Sequence, residues 1–223
     1  MATPSPSSAE QTTVVGPASS RVFTRWTTVD LETAEALTNG GQLQRAADLC
    51  WAIMGDGRVR AALETRVKGL LKLPLTWESG QRDSRMAIRR LEGGDFYSAH
   101  SEGALFVLAA WGILLGVGIA QRVWEMRDGR WIGVLKPYDA RLLRWDTFSR
   151  KWFVRTAAGE VEVKKGDRRW VLYAPSSSTE WPDGDERPWM YGAWRAVSRA
   201  WLGKYFAWGD WQHHAEVHGS PIR

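Results

Sequence analysis

The side chains best placed to do chemistry lie in the carboxy-terminal run DWQHHAEVH, where His214 and His218 stand four apart with Asp210 and Glu216 close by. On a helix that spacing puts both imidazoles on one face, where they can share one metal ion. The run is not HExxH: no Glu follows the first His directly, and no third ligand stands out upstream. Solvated or packing histidines near a helix end, where an imidazolium suits the helix dipole, account for the same pattern. Cys50 falls mid-helix beside an apolar face and reads as a small buried hydrophobe rather than a nucleophilic thiol. There is no GxxxxGK[ST] phosphate loop, no GxSxG elbow, and no GxGxxG between a strand and a helix; Gly116-Val117-Gly118 precedes a strand instead. No catalytic residue, metal or cofactor is assigned, and the chain is read as a non-enzyme.

A second constellation is basic and aromatic. Residues 141–170 hold Arg141, Arg144, Arg150, Lys151, Arg155, Lys164, Lys165, Arg168 and Arg169, interleaved with Trp145, Trp152, Phe153 and Trp170. Basic strands carrying aromatics can bind nucleic acid by stacking and phosphate contact. A sheet with one apolar face inward and one charged face in water gives the same pattern, and Asp146, Glu160, Glu162 and Asp167 dilute the charge. Arg82 to Arg90 form a shorter basic segment of equal ambiguity.

Composition bounds the elements that position these groups. The chain is 44% hydrophobic and 25% charged, with 30 Lys and Arg against 25 Asp and Glu, a net charge of +5. That is globular composition, mildly basic. One cysteine excludes a disulfide framework and Cys-rich zinc sites, as expected of a chain that folds inside a cell. The fifteen tryptophans stand out. Trp packs cores and also dominates interface hot spots, so an aromatic core and surfaces buried on assembly both remain open.

Residues 1–21, rich in Pro, Ser, Thr and Ala, read as a flexible arm without the apolar core of a secretory signal. Asp30 is the expected N-cap of a helix ending at Asn39-Gly40-Gly41. Leu43, Ala46, Leu49, Cys50 and Ile53 mark a second helix to Met54. Asp56 caps a third with Val59, Leu63, Val67 and Leu70 on one stripe, ended by Leu73-Pro74. LPLTWE, residues 73–78, reads as a short strand, and a short helix is expected around 84–91. The uncharged run Ala104 to Ala120 sits at the lower edge of the roughly 17–25 residues that span a bilayer. Gly116 and Gly118 break its far end, so it reads as a buried helix over about 102–115 followed by a turn, not a membrane segment.

From 117 to 175 the period changes to two, giving strands near 119–125, 131–136, 141–145, 151–156, 159–164 and 169–174 in an antiparallel meander, with Asp128-Gly129 as the first hairpin turn. A turn-rich loop over 174–188 leads into a long helix from Pro188 to about His214. Met190, Trp194, Val197, Trp201, Tyr205 and Trp208 form its apolar stripe, and Arg195 and Arg199 lie off it. The fold class is α+β: a helical region over 22–116, a small antiparallel β region over 117–175, and a loop with a long Trp-rich helix over 176–223.

Three segments in order resemble the Mu-like portal proteins of tailed bacteriophages. The last, WRAVSRAWLGKYFAWGDWQHHAEVHGSPIR, carries Lys204, the pair Asp210-Trp211, Ala215-Glu216, then Gly219, Pro221 and Arg223. Upstream, an Asp that begins a helix bearing an Arg is matched by Asp56 and Arg66, before LTWE. Between them, GVGIAQRVWEMRDGRWIGVLKPYDARLLRWD resembles the portal hairpin with Pro137 and Asp139 in its connection. The resemblance covers about residue 30 onward. It implies a structural, non-catalytic subunit of a dodecameric ring at one capsid vertex of the virion, assembled in the host cytoplasm. Double-stranded DNA would pass through the ring in packaging and ejection, and terminase, the major capsid protein and the head–tail adaptor would dock on it. Family members are usually longer, continuing into stem, clip and crown, so the resemblance implies that this chain carries the amino-terminal wing part. A second polypeptide supplying the rest, a prophage remnant and a fragment would each account for that. Arg195 and Arg199 are the expected subunit-interface residues on this reading, and Lys164, Lys165, Arg168 and Arg169 the expected DNA-facing ones. The nucleic-acid-binding module over 141–170 is the alternative.

Overall fold

The structure, a computed structural model, describes residues 26–73, 96, 100–127, 129–164, 167–174 and 187–219. The expectations for the 1–21 arm, LTWE, the Arg82–Arg90 segment and most of the 174–188 loop fall outside these residues, as do Asp128, Lys165, Pro221 and Arg223.

Helix α1, Thr28–Asn39, begins one turn earlier than the expected cap at Asp30. Thr27 caps it, and Asp30 closes a capping box by accepting from the Thr27 backbone. Two first-turn N–H groups that the helix itself leaves orphaned are thereby satisfied. The spacing Thr27-x-x-Asp30 is the sequence signal for this arrangement. Helix α2, Gln44–Met54, buries Ala46, Ala47, Leu49, Cys50 and Ile53, with Leu43 buried just ahead of it. Helix α3, Gly57–Leu71, is capped by Asp56, which accepts from the N–H groups of Arg58 and Val59. It buries Leu63 and Val67 while Leu70 is exposed. Helix α4, Glu102–Leu114, is the apolar run and packs on both α3 and the sheet. Among the described residues, no helix is long and apolar enough to cross a membrane.

Among the described residues six strands follow: β1 Gly118–Arg127, β2 Arg130–Tyr138, β3 Leu143–Asp146, β4 Lys151–Thr156, β5 Gly159–Val163 and β6 Trp170–Tyr173. All pairings are antiparallel, but the meander divides into two three-stranded sheets, ordered β2-β1-β6 and β3-β4-β5. The division has a local cause. Asp139 caps a 3-10 turn, Ala140–Leu142, that redirects the chain after β2 and delays β3 to Leu143. β6 then pairs with the free edge of β1 instead of extending β5. The second sheet is tied to the helices through Trp145, whose N–H donates to Gly41 O at 3.0 Å.

The last helix, α5, spans Trp194–His218. Pro188 sits not in it but in a preceding 3-10 turn, Pro188–Tyr191. The connecting Gly192-Ala193 passes tightly against the end of α4, and Ala193 N–H donates to Ile113 O at 3.1 Å. A Cβ at Gly116, where φ is +90°, would lie 2.4 Å from Pro188 O, and one at Gly192 would lie 2.4 Å from Leu115 O. Only glycine permits that crossing. One apolar core draws on α1, α2, the end of α4, β1, β3, β4, β5 and the start of α5. The architecture is α+β, with helices first, a pair of small antiparallel sheets, and a long carboxy-terminal helix.

Candidate functional site

The chemistry of α5 changes along its length. Its first half faces the core through Trp194, Ser198 and Leu202, spaced four apart and buried against α1 and α2. Val197, Trp201 and Phe206 are half-buried beside them. The second half leaves the body: Tyr205, Trp208, Trp211 and Val217 are exposed. The expected stripe is therefore continuous in sequence but wholly or partly buried only as far as Trp201. Trp208 and Trp211, one turn apart, hold their rings tilted at 36° with centroids 5.3 Å apart.

Polar contacts pin the buried half. Arg199 donates to both Glu35 carboxylate oxygens at 2.9 and 3.1 Å. Arg195 donates to Asn39 Oδ1 at 2.8 Å and lies over the Trp194 ring. Both residues thus engage α1 of their own chain. Lys204 Nζ donates to Asp56 Oδ2, so α5 is clamped to the N-cap of α3. This pair joins two segments that carry the portal resemblance, and the contact holds the Asp56 carboxyl below its ordinary range. Further along α5, Asp210, Trp211 and Glu216 are exposed. Gly219 ends the helix, its N–H donating to Ala215 O at 2.7 Å, and a Cβ there would meet that oxygen at 2.3 Å.

Trp189, which the sequence pattern did not single out, is fully buried just ahead of α5. Its Nε1–H donates to Thr38 O at 2.8 Å, and its ring packs at 5.5 Å from Trp145 and 5.1 Å from Trp152. A second unforeseen feature is the cluster of Arg141 with Asp139 at 2.7 Å and Asp48 at 3.6 Å, all largely enclosed. Burial pushes the Asp48 carboxyl up, and the Arg141 guanidinium opposes that shift.

On the β3–β5 sheet the outward charges meet across strands. Arg144 pairs with Glu160 at 2.8 Å and Lys151 with Glu162 at 3.2 Å. Arg144 also lies over the Phe153 ring. These cations are matched by carboxylates, which weakens the case for a phosphate-binding face here. Lys164 and Arg168 are exposed, while Arg169 is half-buried with its guanidinium 5.9 Å from the Trp170 ring centroid. Cys50 is fully enclosed, and burial raises its thiol pKa well above the usual value, as suits packing rather than nucleophilic chemistry. His214 is exposed, and among the described residues no cluster of three or more His, Cys, Asp or Glu could hold a metal.

These features together are a well-fastened body, paired surface charge, and a helix that carries aromatic side chains out into solvent. The model of the family described as portal protein of Mu bacteriophage matches residues 47–223, and the chain belongs to that family. The family is structural rather than enzymatic, and its place is the capsid vertex of the phage particle. No curated protein matches the chain.

Proposed function

We propose that this chain forms the wing region of a phage portal ring, a dodecamer at the capsid vertex through which double-stranded DNA is packaged and ejected. Terminase, the major capsid protein and the head–tail adaptor dock on that ring. The observation that carries the reading is the family match over residues 47–223, which takes in α3, both sheets and α5. The exposed aromatic end of α5 supports it, since solvent-facing Trp is what an assembly buries. Lys164 and Arg168, exposed near the β5–β6 connection, are the candidates to face DNA, with Lys165 and Arg169 beside them in sequence. Arg195 and Arg199 would act in assembly by steadying α5 against α1, leaving its distal half to meet the neighbour.

Light scattering on a sizing column, with negative-stain imaging of the eluted peak, tests the reading. A closed ring is the expected result. A single chain at every concentration refutes a self-sufficient ring. The nucleic-acid-module alternative predicts instead that the single chain binds DNA, with log affinity falling linearly in log salt.

A further inference from the structure

The chain's positive charge is concentrated on one helix. Residues 56–72, which are α3 with its two caps, hold Arg58, Arg60, Arg66, Lys68 and Lys72 against Asp56 and Glu64, a net +3 of the chain's +5. Both carboxylates are already engaged. Asp56 caps the helix and accepts from Lys204, while Glu64 takes Arg60 at 3.0 Å and Lys68 at 3.5 Å. Arg58, Arg66 and Lys72 are exposed and form no ion pair among the described residues. Helical spacing places them. Leu63 and Val67 pack α3 on Ala109 and Ala110 of α4. At about 3.6 residues per turn, Arg58 and Lys72 fall opposite that seam, Lys68 lies beside them, and Arg66 stands at one edge. Glu64, half-buried, stands at the other edge. Between the cations the outward face is made of Ala61, Ala62, Thr65 and Gly69, all exposed. A Cβ at Gly69 would meet nothing within 4 Å, so no contact among the described residues calls for glycine there.

We propose that the outward face of α3 holds the phosphate backbone of double-stranded DNA without reading its sequence. This deepens the portal reading and rests on it for the presence of the duplex. Unpaired cations on one face call for a polyanion. Side-chain size then selects among polyanions. Between Arg58 and Lys72 the face carries no aromatic residue, so it offers a single strand no stacking platform. It also carries no large apolar side chain to enter the headgroup layer of an anionic membrane or to anchor an acidic protein. What remains is a smooth ridge of Ala, Thr and Gly between cations. Such a ridge lets the helix approach a rigid, regularly charged rod closely while Arg and Lys reach phosphates on either side. Arg can hold a phosphate through two N–H donors. From Arg58 to Lys72 the helix rises about 21 Å, the length of about six base pairs of duplex. The β3–β5 sheet lacks this freedom, because Arg144 and Lys151 already meet Glu160 and Glu162.

The test follows binding of the full-length chain to a labelled duplex of arbitrary sequence by fluorescence anisotropy across a salt series. Each phosphate contact adds about 0.9 to the slope of log affinity on log salt, so Arg58→Gln/Arg66→Gln/Lys72→Gln should lower that slope by about 2.7. Between about 50 and 200 mM salt the wild type should then lose about 40-fold more affinity than the variant. All three side chains are exposed, so circular dichroism and Tm should match the wild type. A slope unchanged by the triple substitution overturns the proposal, as does a wild type that binds no duplex at low salt. Binding lost in Lys164→Gln/Arg168→Gln but unchanged in the α3 variant places the contact within 141–170 and also overturns it. Tighter binding to a single strand of the same length, or displacement by polyglutamate as effective as by unlabelled duplex, overturns the duplex assignment. Should the triple variant misfold, Thr65→Glu/Gly69→Glu sets two carboxylates at exposed positions in the middle of the face. That variant should lose binding at moderate salt, and retained binding overturns the proposal. Light scattering without DNA judges the portal reading separately: rings formed by a chain that fails to bind duplex leave that reading standing.

Discussion

Replacing Trp189 tests the packing that seats α5. Its side chain is fully buried, contacts the rings of Trp145 and Trp152, and gives its one donor to Thr38 O. Emptying a site of this kind costs about 3–5 kcal/mol, within which the lost hydrogen bond accounts for about 1 kcal/mol. In a domain of this size each kcal/mol shifts Tm by about 2–4 °C, so Trp189→Ala should lower Tm by about 6–20 °C. Two other tryptophans calibrate the argument. Trp211 is 61% exposed, and Trp211→Ala should stay within about 0.5 kcal/mol. Trp201 is half-buried and stacked on Tyr205 at 5.8 Å, so its replacement by Ala should cost about 1–2 kcal/mol, short of the full cost of emptying a buried site. Calorimetry at concentrations where the chain is single separates these values from any effect on assembly. A loss below about 1 kcal/mol at Trp189, or a larger loss at Trp211 than at Trp189, would refute the division of α5 into a seated and a free half.

Two further perturbations probe the same junction. A double-mutant cycle of Asp56→Asn with Lys204→Met should give a coupling of about 0.5 kcal/mol, because the lysine is exposed and Asn keeps the N-cap. Lys204 and the cap N–H groups hold the Asp56 pKa below its ordinary 3.8. Its contribution is therefore complete above that value and fades as pH falls through the lowered one, so the Asp56→Asn penalty measured by denaturant titration at neutral pH should shrink in strong acid. Gly116→Ala should cost about 2–4 kcal/mol, since it combines a left-handed backbone with a Cβ driven to 2.4 Å from Pro188 O. A thermal melt unchanged from wild type would show that the crossing of the 187–193 connection over α4 is loose.

Much of the fold is legible locally. The spacing of Leu43, Ala46, Leu49, Cys50 and Ile53 defines α2, and the Asp56 cap and the change of period near 117 follow from neighbouring residues. What local pattern cannot reveal depends on partners distant in sequence. Trp189 sits in a turn-rich stretch with no periodicity, so its burial comes from the α1 carbonyl and the β3 and β4 tryptophans it meets. The split into two sheets hinges on whether β6 pairs with β5 or returns to β1, and the alternation of either strand fits both. The exposure of Trp208 and Trp211 is hidden for the opposite reason: their helical spacing matches that of core residues, and among the described residues no element packs on the helix beyond Phe206.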